Sequence, residues 1–452
     1  MEPFILGMVL VFAVFPILCA VYEFRIGKVS IGFGTASLVS LVLLFVFGIF
    51  DIEEIQRGLI GNEHFSPWKI IVIFMTVAYV SVSTDATGIF SYLAAHLVRT
   101  VQGNGLALFS LLYVFAFCLS VFTSNDIVIL TLTPIILYLG HFARLNVLPY
   151  LFAEFFAANS VDLFFTGNPT DLVVADALNL GFWEYTSVMW LPAFVAVVTG
   201  YGVLRWYFHK DIHKKFSAKL VSPVLIARPG QAWLHLALLL SLFLTLSVSG
   251  FLGVELWVIT LTYAVLFLVL DGSMSLPSSD GERKRLSKTT NEIGISLGHM
   301  PWSVLPFIVF FFVLVEMLSR VGVVDMVAAF LASLSSSPAA AIVVMGTSGL
   351  VLANIVNNQP MIVFLSSVLV SPAYALDPEI INASGYALAI AGNLGANISL
   401  LGALAGLMWR NILASKDIKV SYMQFLRVGL ILTPLISIAS FIALYITLGY
   451  AR

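Results

Sequence analysis

Long apolar stretches, recurring from one end of the chain to the other, constrain its fold more than any other feature. About ten are long enough to cross a bilayer: residues 4–22, 30–50, 68–90, 147–178, 183–207, 232–250, 254–270, 301–320, 380–414 and 427–449. A helix needs roughly 20 apolar residues to traverse the hydrocarbon core, and a soluble surface cannot be built from such runs. Composition agrees: 60% of the 452 residues are hydrophobic, only 10% are charged, and the mean hydropathy is +1.02. Soluble domains carry about a quarter charged residues. The net charge of −2 gives no footprint for nucleic acid. The first run lacks the basic start and cleavage signal of a secretory leader and reads as a retained helix.

Two further apolar stretches, about 105–140 and 338–371, are interrupted in mid-run. Thr123-Ser124-Asn125-Asp126 breaks the first, and Asn357-Asn358-Gln359-Pro360 breaks the second. Backbone amides have no water to bond in lipid, so a break survives only inside protein or beside a wet cavity. Both stretches therefore read as re-entrant hairpins. Basic residues give the orientation, because Lys and Arg gather in cytoplasmic loops. Arg25, Lys28, Arg144, Lys210, Lys214, Lys215, Lys219, Arg228, Arg283, Lys284, Arg285, Lys288, Arg410, Lys416 and Lys419 fall on one side. Asp51, Glu53, Glu54, Glu63, Asp377 and Glu379 fall on the other, provided both hairpins enter and leave on one face. Both termini are then expected outside, in the cell (inner) membrane.

The expected fold is an all-α polytopic membrane protein with two inverted repeats, about ten transmembrane helices and two re-entrant helical hairpins. Residues 1–207 form the first repeat, 208–231 a cytoplasmic linker, and 232–452 the second repeat. Asp85-Ala86-Thr87-Gly88 and Ser319-Arg320-Val321-Gly322 echo one another ahead of amphipathic stretches. Paired broken helices in inverted repeats point to a transport site at the midplane.

Four polar breaks supply the candidate site. Besides the hairpin tips there are Thr166-Gly167-Asn168-Pro169-Thr170-Asp171 and Gly392-Asn393-Leu394-Gly395-Ala396-Asn397-Ile398-Ser399. Glycine permits unusual dihedrals and proline removes a donor, so these are natural places for a helix to stop. Thr123, Ser124, Asn125, Asn168, Thr170, Asn357, Asn358, Asn393, Asn397 and Ser399 offer neutral oxygens and donors able to replace a hydration shell. Na⁺ is a candidate ion at Asn125, Asn168, Asn358 and Asn397. Asp126, Asp171 and Asp162 are expected to couple transport to a proton or cation, with Asp126 ranked first, because intramembrane carboxyls are costly and default to function. No other cofactor is expected. Glu154 reads as a solvated or helix-pairing residue, and Glu316 with Arg320 as an ion pair along one helix face. Cys19 and Cys118 read as buried small hydrophobes, too few for a thiolate metal site.

At these motifs the chain resembles the ion transporter superfamily, and most closely its arsenical pump membrane protein (arsenite permease) family, over nearly its whole length. Asn125-Asp126 leading to Leu132-Thr133-Pro134-Ile135 is similar to that family's first hairpin. Asn357-Asn358 with Pro360-Met361 is similar to its second, and Gly392-Asn393-Leu394-Gly395 through Gly402, Leu404, Ala405 and Trp409 to its ninth span. Ala175-Asp176, Gly181-Phe182 and Lys210-Asp211-Ile212 match around its fifth span. The chain departs from it at Ala396-Asn397, where a Pro-Lys pair stands, and at Ala403 and Gly406, where Ser and Thr stand. Gly167-Asn168-Pro169-Thr170 and Gly392 to Asn397 are instead similar to sodium-coupled relatives and sodium/proton antiporters.

The resemblance implies a secondary active transporter rather than an enzyme, exporting arsenite or antimonite against inward protons by an elevator-type movement. The alternative is a sodium/proton antiporter or sodium-coupled anion transporter. The substrate class is a small inorganic or organic anion or oxyanion, and the lipid bilayer is a partner. A homodimer is implied, and a soluble ATPase is a candidate partner. A membrane-embedded enzyme is the remote reading, since the seven histidines show no His-Glu-x-x-His spacing.

Overall fold

The computed structural model describes residues 3–21, 24–26, 29–61, 66–101, 103–143, 145–165, 168–212, 226, 228–275, 292–414, 416, 418 and 420–449. Most of the linker, the basic run at 283–288, and Thr166 and Gly167 lie outside the described residues. The fold is helical throughout apart from one antiparallel ribbon, Phe24–Ile26 with Val29–Ile31. Among the described residues seven helices are long and apolar enough to cross a membrane. The pair Ile293–His299 and Val304–Arg320, bent by 44°, passes the same test of length and apolarity when the two helices are taken together.

Both interrupted stretches are helical hairpins. The first has arms Gly105–Phe122 and Asn125–Ala143, and the second Pro338–Val356 and Asn358–Leu369. The second hairpin returns to the face it left, because Tyr374 Oη, just past its end, lies 3.3 Å from Ser335 Oγ, just before its start. Each hairpin is preceded by a twelve-residue helix that packs against both arms: Ile89–Thr100 in one half and Val323–Leu334 in the other. Gly88 and Gly322 open these helices in the same left-handed conformation, φ +79° in both. An L side chain is disfavoured there, so the two halves use the same residue to make the same turn. Each half ends on a 26-residue helix with one internal proline, Phe182–Tyr207 with Pro192 and Tyr422–Thr447 with Pro434.

Polar bonds register the ends of distant elements on a common face. Arg320 Nη1 reaches Glu54 at 2.7 Å and Asp51 at 3.7 Å, joining the end of Val304–Arg320 to the helix Ile52–Ile60. This corrects the expected partner: Arg320 pairs with the loop acids, not with Glu316, because Asp51 and Glu54 are already gathered by a capping box at that helix start. On the same face Lys69 Nζ meets Glu255 at 2.6 Å, and the Ser66 amide donates to Asp176 Oδ2 at 2.7 Å. Hydrogen bonds from the Lys69 ammonium and the Trp257 indole hold the Glu255 carboxyl below its usual range.

Two further expectations change. Cys19 is buried, but Cys118 is exposed on the outward face of Gly105–Phe122 beside Val114, where packing leaves the hairpin uncovered. The expected span 254–270 ends too early, since Leu256–Ser275 continues through Asp271 and carries it into the interior.

Topology is open to direct labelling. Single cysteines at residues 276–291 are expected to react with an impermeant thiol reagent only from the cytoplasmic side, and cysteines beside Asp377 only from outside. Reaction of both positions from one side would sink the inverted arrangement.

Candidate functional site

Three of the four breaks have a local reason. Ser124 stands before the second arm of the first hairpin and its Oγ receives the Ile127 amide at 3.4 Å. Asn168 caps Pro169–Ala177, its Oδ1 accepting from the Thr170 amide at 3.2 Å, with Pro169 at the first helical position. Pro needs no donor there and Asn is a favoured cap. Asn357 caps Asn358–Leu369 with its backbone at φ +78° and ψ 153°, a conformation that side-chain-bearing residues rarely adopt. Its Nδ2 is fastened to the Leu401 carbonyl at 3.0 Å and its Oδ1 accepts from the Gln359 amide at 3.3 Å. Such a position costs roughly 1–3 kcal/mol and persists only where the surroundings impose it.

The expected break near 166–171 is wider than the sequence implied. Leu148–Ala158 ends at Asn159, and the next α-helix among the described residues is Pro169–Ala177. Asn159 was missed by the sequence reading and lies at the hub. Its Oδ1 accepts from Asn125 Nδ2 at 2.8 Å, and its carbonyl accepts from Asn397 Nδ2 at 3.0 Å. One residue thus ties the first hairpin tip to the broken helix of the other half. The signal that could have found it is the polar run Asn159-Ser160-Val161-Asp162 inside a stretch treated as one apolar span.

A second chain of bonds crosses the halves alongside it. Asn168 Nδ2 donates to Asn393 Oδ1 at 2.6 Å, and Asn393 Nδ2 donates to Asp171 at 2.8 and 3.1 Å. Asp171 is fully buried and faces Asp162, 8% exposed, which in turn faces Asn168. The Tyr185 hydroxyl is buried near the same carboxyls. Among the described residues no cation faces this pair. Two carboxyls so close repel unless a proton or a cation lies between them.

Around this centre several buried oxygens have no partner among the described residues: Thr170 Oγ1, Asn358 Oδ1, Asn397 Oδ1 and Asn354 Oδ1. Asn358 is held in place by its other amide atom, which donates to the Gly392 carbonyl at 3.2 Å. Most buried polar groups in proteins are paired, so a group of orphaned acceptors at a helix break marks a place for a ligand. Among the described residues no group of three His, Cys, Asp or Glu side chains gathers as a metal centre.

The remaining predicted residues are placed as follows. Thr123 spends its hydroxyl on the Leu119 carbonyl at 2.8 Å, one turn back. Ser399 Oγ accepts from the Leu401 amide at 3.3 Å, shaping the turn after the break. Asp126 is half-buried at the first tip; its own amide donates to Asn125 Oδ1 at 2.9 Å, and among the described residues no side chain donates to its carboxyl. It is not joined to the Asp162 and Asp171 pair by any of these bonds. Of the two readings of Glu154 the helix-pairing one holds: it is fully buried rather than solvated, with Oε1 accepting from Thr133 Oγ1 of the hairpin arm at 2.8 Å and Oε2 unpartnered among the described residues. Its helix is enclosed on every side by the first hairpin and the final helices, which no local pattern announced.

Towards the face of Lys69 and Asp176 lies a cavity of ≈ 540 Å³ whose wall includes Ser66, Asn179, Ser371 and Asn382. A neighbouring cavity of ≈ 330 Å³ shares Lys69, Asp176 and Asn179 and reaches down to Phe165 and Leu172. Phe165 packs edge-on against Tyr185 at 5.3 Å, so one aromatic layer separates this vestibule from the carboxyl pair.

Asn125→Ala and Asn358→Ala are expected to abolish transport with membrane insertion largely kept. Each deletes a bond worth about 0.5–1.5 kcal/mol net, too little to unfold the protein, but removes a ligand position or its anchor. Uptake assays on quantified, correctly inserted variants check this; normal transport by both would displace the site from the breaks.

The citrate transporter family model, CitMHS, matches residues 17–392. An arsenical pump membrane protein of Escherichia coli is 28% identical over 433 residues, covering 93% of this chain and 95% of the relative. Another, from Yersinia enterocolitica, is 26% identical over 89% of this chain and 91% of its own. Among solved structures, the Alcanivorax borkumensis YdaH transporter superposes with a TM-score of 0.58 over 99% of this chain and 98% of its own, at 16% identity, a likeness of fold. The breaks, the hairpins and these matches together identify a multi-pass membrane transporter of the arsenite permease and CitMHS type, and the chain belongs to the CitMHS citrate transporter family.

Proposed function

We propose that the protein exports trivalent arsenic or antimony hydroxide from the cytoplasm across the inner membrane, in exchange for protons. The observation that carries this reading is the buried Asp162 and Asp171 pair, joined to both halves by Asn168 and Asn393. A proton held between two carboxyls can be given up when the site is re-exposed, which is what coupling requires. The orphaned acceptors Thr170 Oγ1, Asn358 Oδ1 and Asn397 Oδ1 suit a neutral hydroxide, whose O–H groups need acceptors and carry no charge to neutralise. Thiolate capture is not part of this scheme, because Cys19 and Cys118 are the chain's two cysteines and neither stands at a break. Relatives named as arsenical pumps along almost the whole chain support the substrate class.

In this reading the two hairpins and two broken helices move as one body against the other helices, elevator-fashion, and the Lys69 vestibule is the outer opening. The repeats are inverted and both termini lie outside. The chain works as a homodimer, and a soluble ATPase is an optional partner rather than a requirement of the proton scheme.

One observation favours a second reading. Unpartnered amide and hydroxyl oxygens beside carboxylates are also the donor set that Na⁺ prefers, and Asn358 and Asn397 each present one. A sodium-coupled anion transporter or sodium/proton antiporter would use the same centre.

Purified protein in liposomes separates the two. Arsenite movement driven by an imposed pH gradient in the absence of Na⁺ is the expected result. Citrate or another carboxylate moving only with Na⁺, and no arsenite movement, would replace the first reading with the second.

A further inference from the structure

A groove of ≈ 430 Å³ lies where Pro67–Ala86, Leu256–Ser275 and the bent pair Ile293–His299 and Val304–Arg320 meet. It shares no lining residue with the asparagine breaks or with the Lys69 vestibule. Tyr79, Ala264 and Met300 line it as buried residues, while Leu261, Val265 and Trp302, each at least 40% exposed, form its rim.

The groove is built by the bend. In an unbroken helix the Leu297 carbonyl would accept from the amide of residue 301, and Pro301 has none. Trp302 Nε1 takes that place, donating to the Leu297 carbonyl at 2.7 Å. No acceptor is left bare by the missing amide, so the bend stands in lipid without an unsatisfied backbone group.

Its walls offer nothing to water. The lining side chains are apolar except for Thr76, Tyr79 and Trp302, and each of those has already spent its polar atom. Thr76 Oγ1 donates to the Val72 and Ile73 carbonyls at 2.7 and 3.0 Å, and Tyr79 Oη donates to Asp271 Oδ2 at 2.9 Å. A buried water needs two to four polar partners. An empty void forfeits the dispersion contacts of every atom that lines it. The occupant is therefore hydrocarbon.

Depth and continuity say which hydrocarbon. Leu261 and Leu268 lie roughly 8 and 18 Å along Leu256–Ser275 from its start, around the middle of a hydrocarbon core about 30 Å thick. The rim runs on into Val258, Leu266 and Val269, the exposed apolar face of the same membrane-crossing helix. The groove thus opens sideways, at mid-depth, into the surface that meets lipid tails. Two turns of a partner helix, about 10 Å across, would fill roughly twice its volume, whereas a single linear chain can enter.

We infer that this groove is a binding site for one acyl chain of a membrane phospholipid, seated between the bent helix pair and the two helices behind it. The chain completes the packing that the bend leaves open and covers the outer side of Tyr79, whose hydroxyl holds Asp271.

The test uses full-length protein in mild-detergent micelles, titrated with a phosphatidylethanolamine that carries a photoreactive diazirine halfway along one acyl chain. Irradiation, digestion and mass spectrometry then locate the chain. Adducts on Pro67–Ala86 and Leu256–Ser275 are expected to saturate and to be competed away by unlabelled phospholipid. Their yield is expected to exceed severalfold that on the exposed apolar face of Tyr422–Thr447 around Leu430 and Ile438. Equal, non-saturating yields on all these helices would overturn the site, and this reading needs no variant. Ala264→Trp fills the groove and is expected to cut its adducts severalfold while those on Tyr422–Thr447 stay unchanged. Groove adducts that persist in folded Ala264→Trp would also overturn the proposal. Val265→Cys that joins two copies by a disulfide, with no lipid adduct in the groove, would assign this face to a second copy instead.

Discussion

Asp171→Asn is expected to leave substrate exchange measurable and to bring pH-gradient-driven accumulation down to background. The change keeps the size of the side chain, and an amide oxygen can still accept one of the two bonds that Asn393 Nδ2 now makes to the carboxylate. What disappears is the second charge of the Asp162 and Asp171 pair, and with it the repulsion that makes a bound proton necessary. Binding and coupling should therefore separate: counterflow persists while concentration against a gradient stops. Asp162→Asn should behave alike, because either change leaves a single carboxylate. Accumulation by Asp171→Asn at the wild-type level would remove the pair from the coupling step. The tip residue Asp126 is the rival. Loss of accumulation in Asp126→Asn, with retention in Asp171→Asn, would transfer the role to the hairpin tip.

Gly429→Val is expected to disable transport and lower thermal stability although residue 429 touches no substrate. Tyr422–Thr447 crosses the second broken helix at this glycine, and a Cβ built there would collide with the Asn397 and Ile398 carbonyls. Those atoms are backbone and cannot swing aside, so the break itself must move. Overpacking of this kind costs typically about 1–3 kcal/mol, and here the displaced segment carries Asn397, which anchors Asn159. Gly429→Ala should lie between wild type and valine. Melting curves and uptake on the same detergent-purified samples check the ordering; a valine variant with normal transport would mean that the helix does not brace the break. Gly406 is constrained in the same manner, since an added Cβ would stand 2.7 Å from the Leu400 carbonyl. A larger residue at that position needs a different path for the preceding turn.

The helical breaks were legible because their causes are local. Pro169 after Asn168, Pro360 after Asn358, and glycine at 392 and 395 each interrupt an apolar run in plain view. The turn at Gly88 and Gly322 was legible in the same way, as a repeated glycine before an amphipathic stretch. Asn159 was less so, because the short polar run Asn159-Ser160-Val161-Asp162 carries no proline or glycine, and its partners Asn125 and Asn397 arrive from 34 and 238 positions away. Which of the two readings of Glu154 applies was not legible for the mirror reason: its neighbours along the chain place it near a loop, while its neighbours in space bury it against Thr133.

By itself, then, the chain determined that it crosses a membrane many times, where its helices break, and which neutral side chains stand at the breaks. These follow from hydropathy, from the need to satisfy backbone amides in lipid, and from residues whose backbone preferences act within a few positions. Tertiary structure alone decided which carboxyls meet. Asp162 and Asp171 face one another, Asp126 stays apart, Arg320 crosses to Glu54, and Asp271 is drawn inward to His235. The energy of a charge depends on what surrounds it in three dimensions, and sequence distance does not encode that.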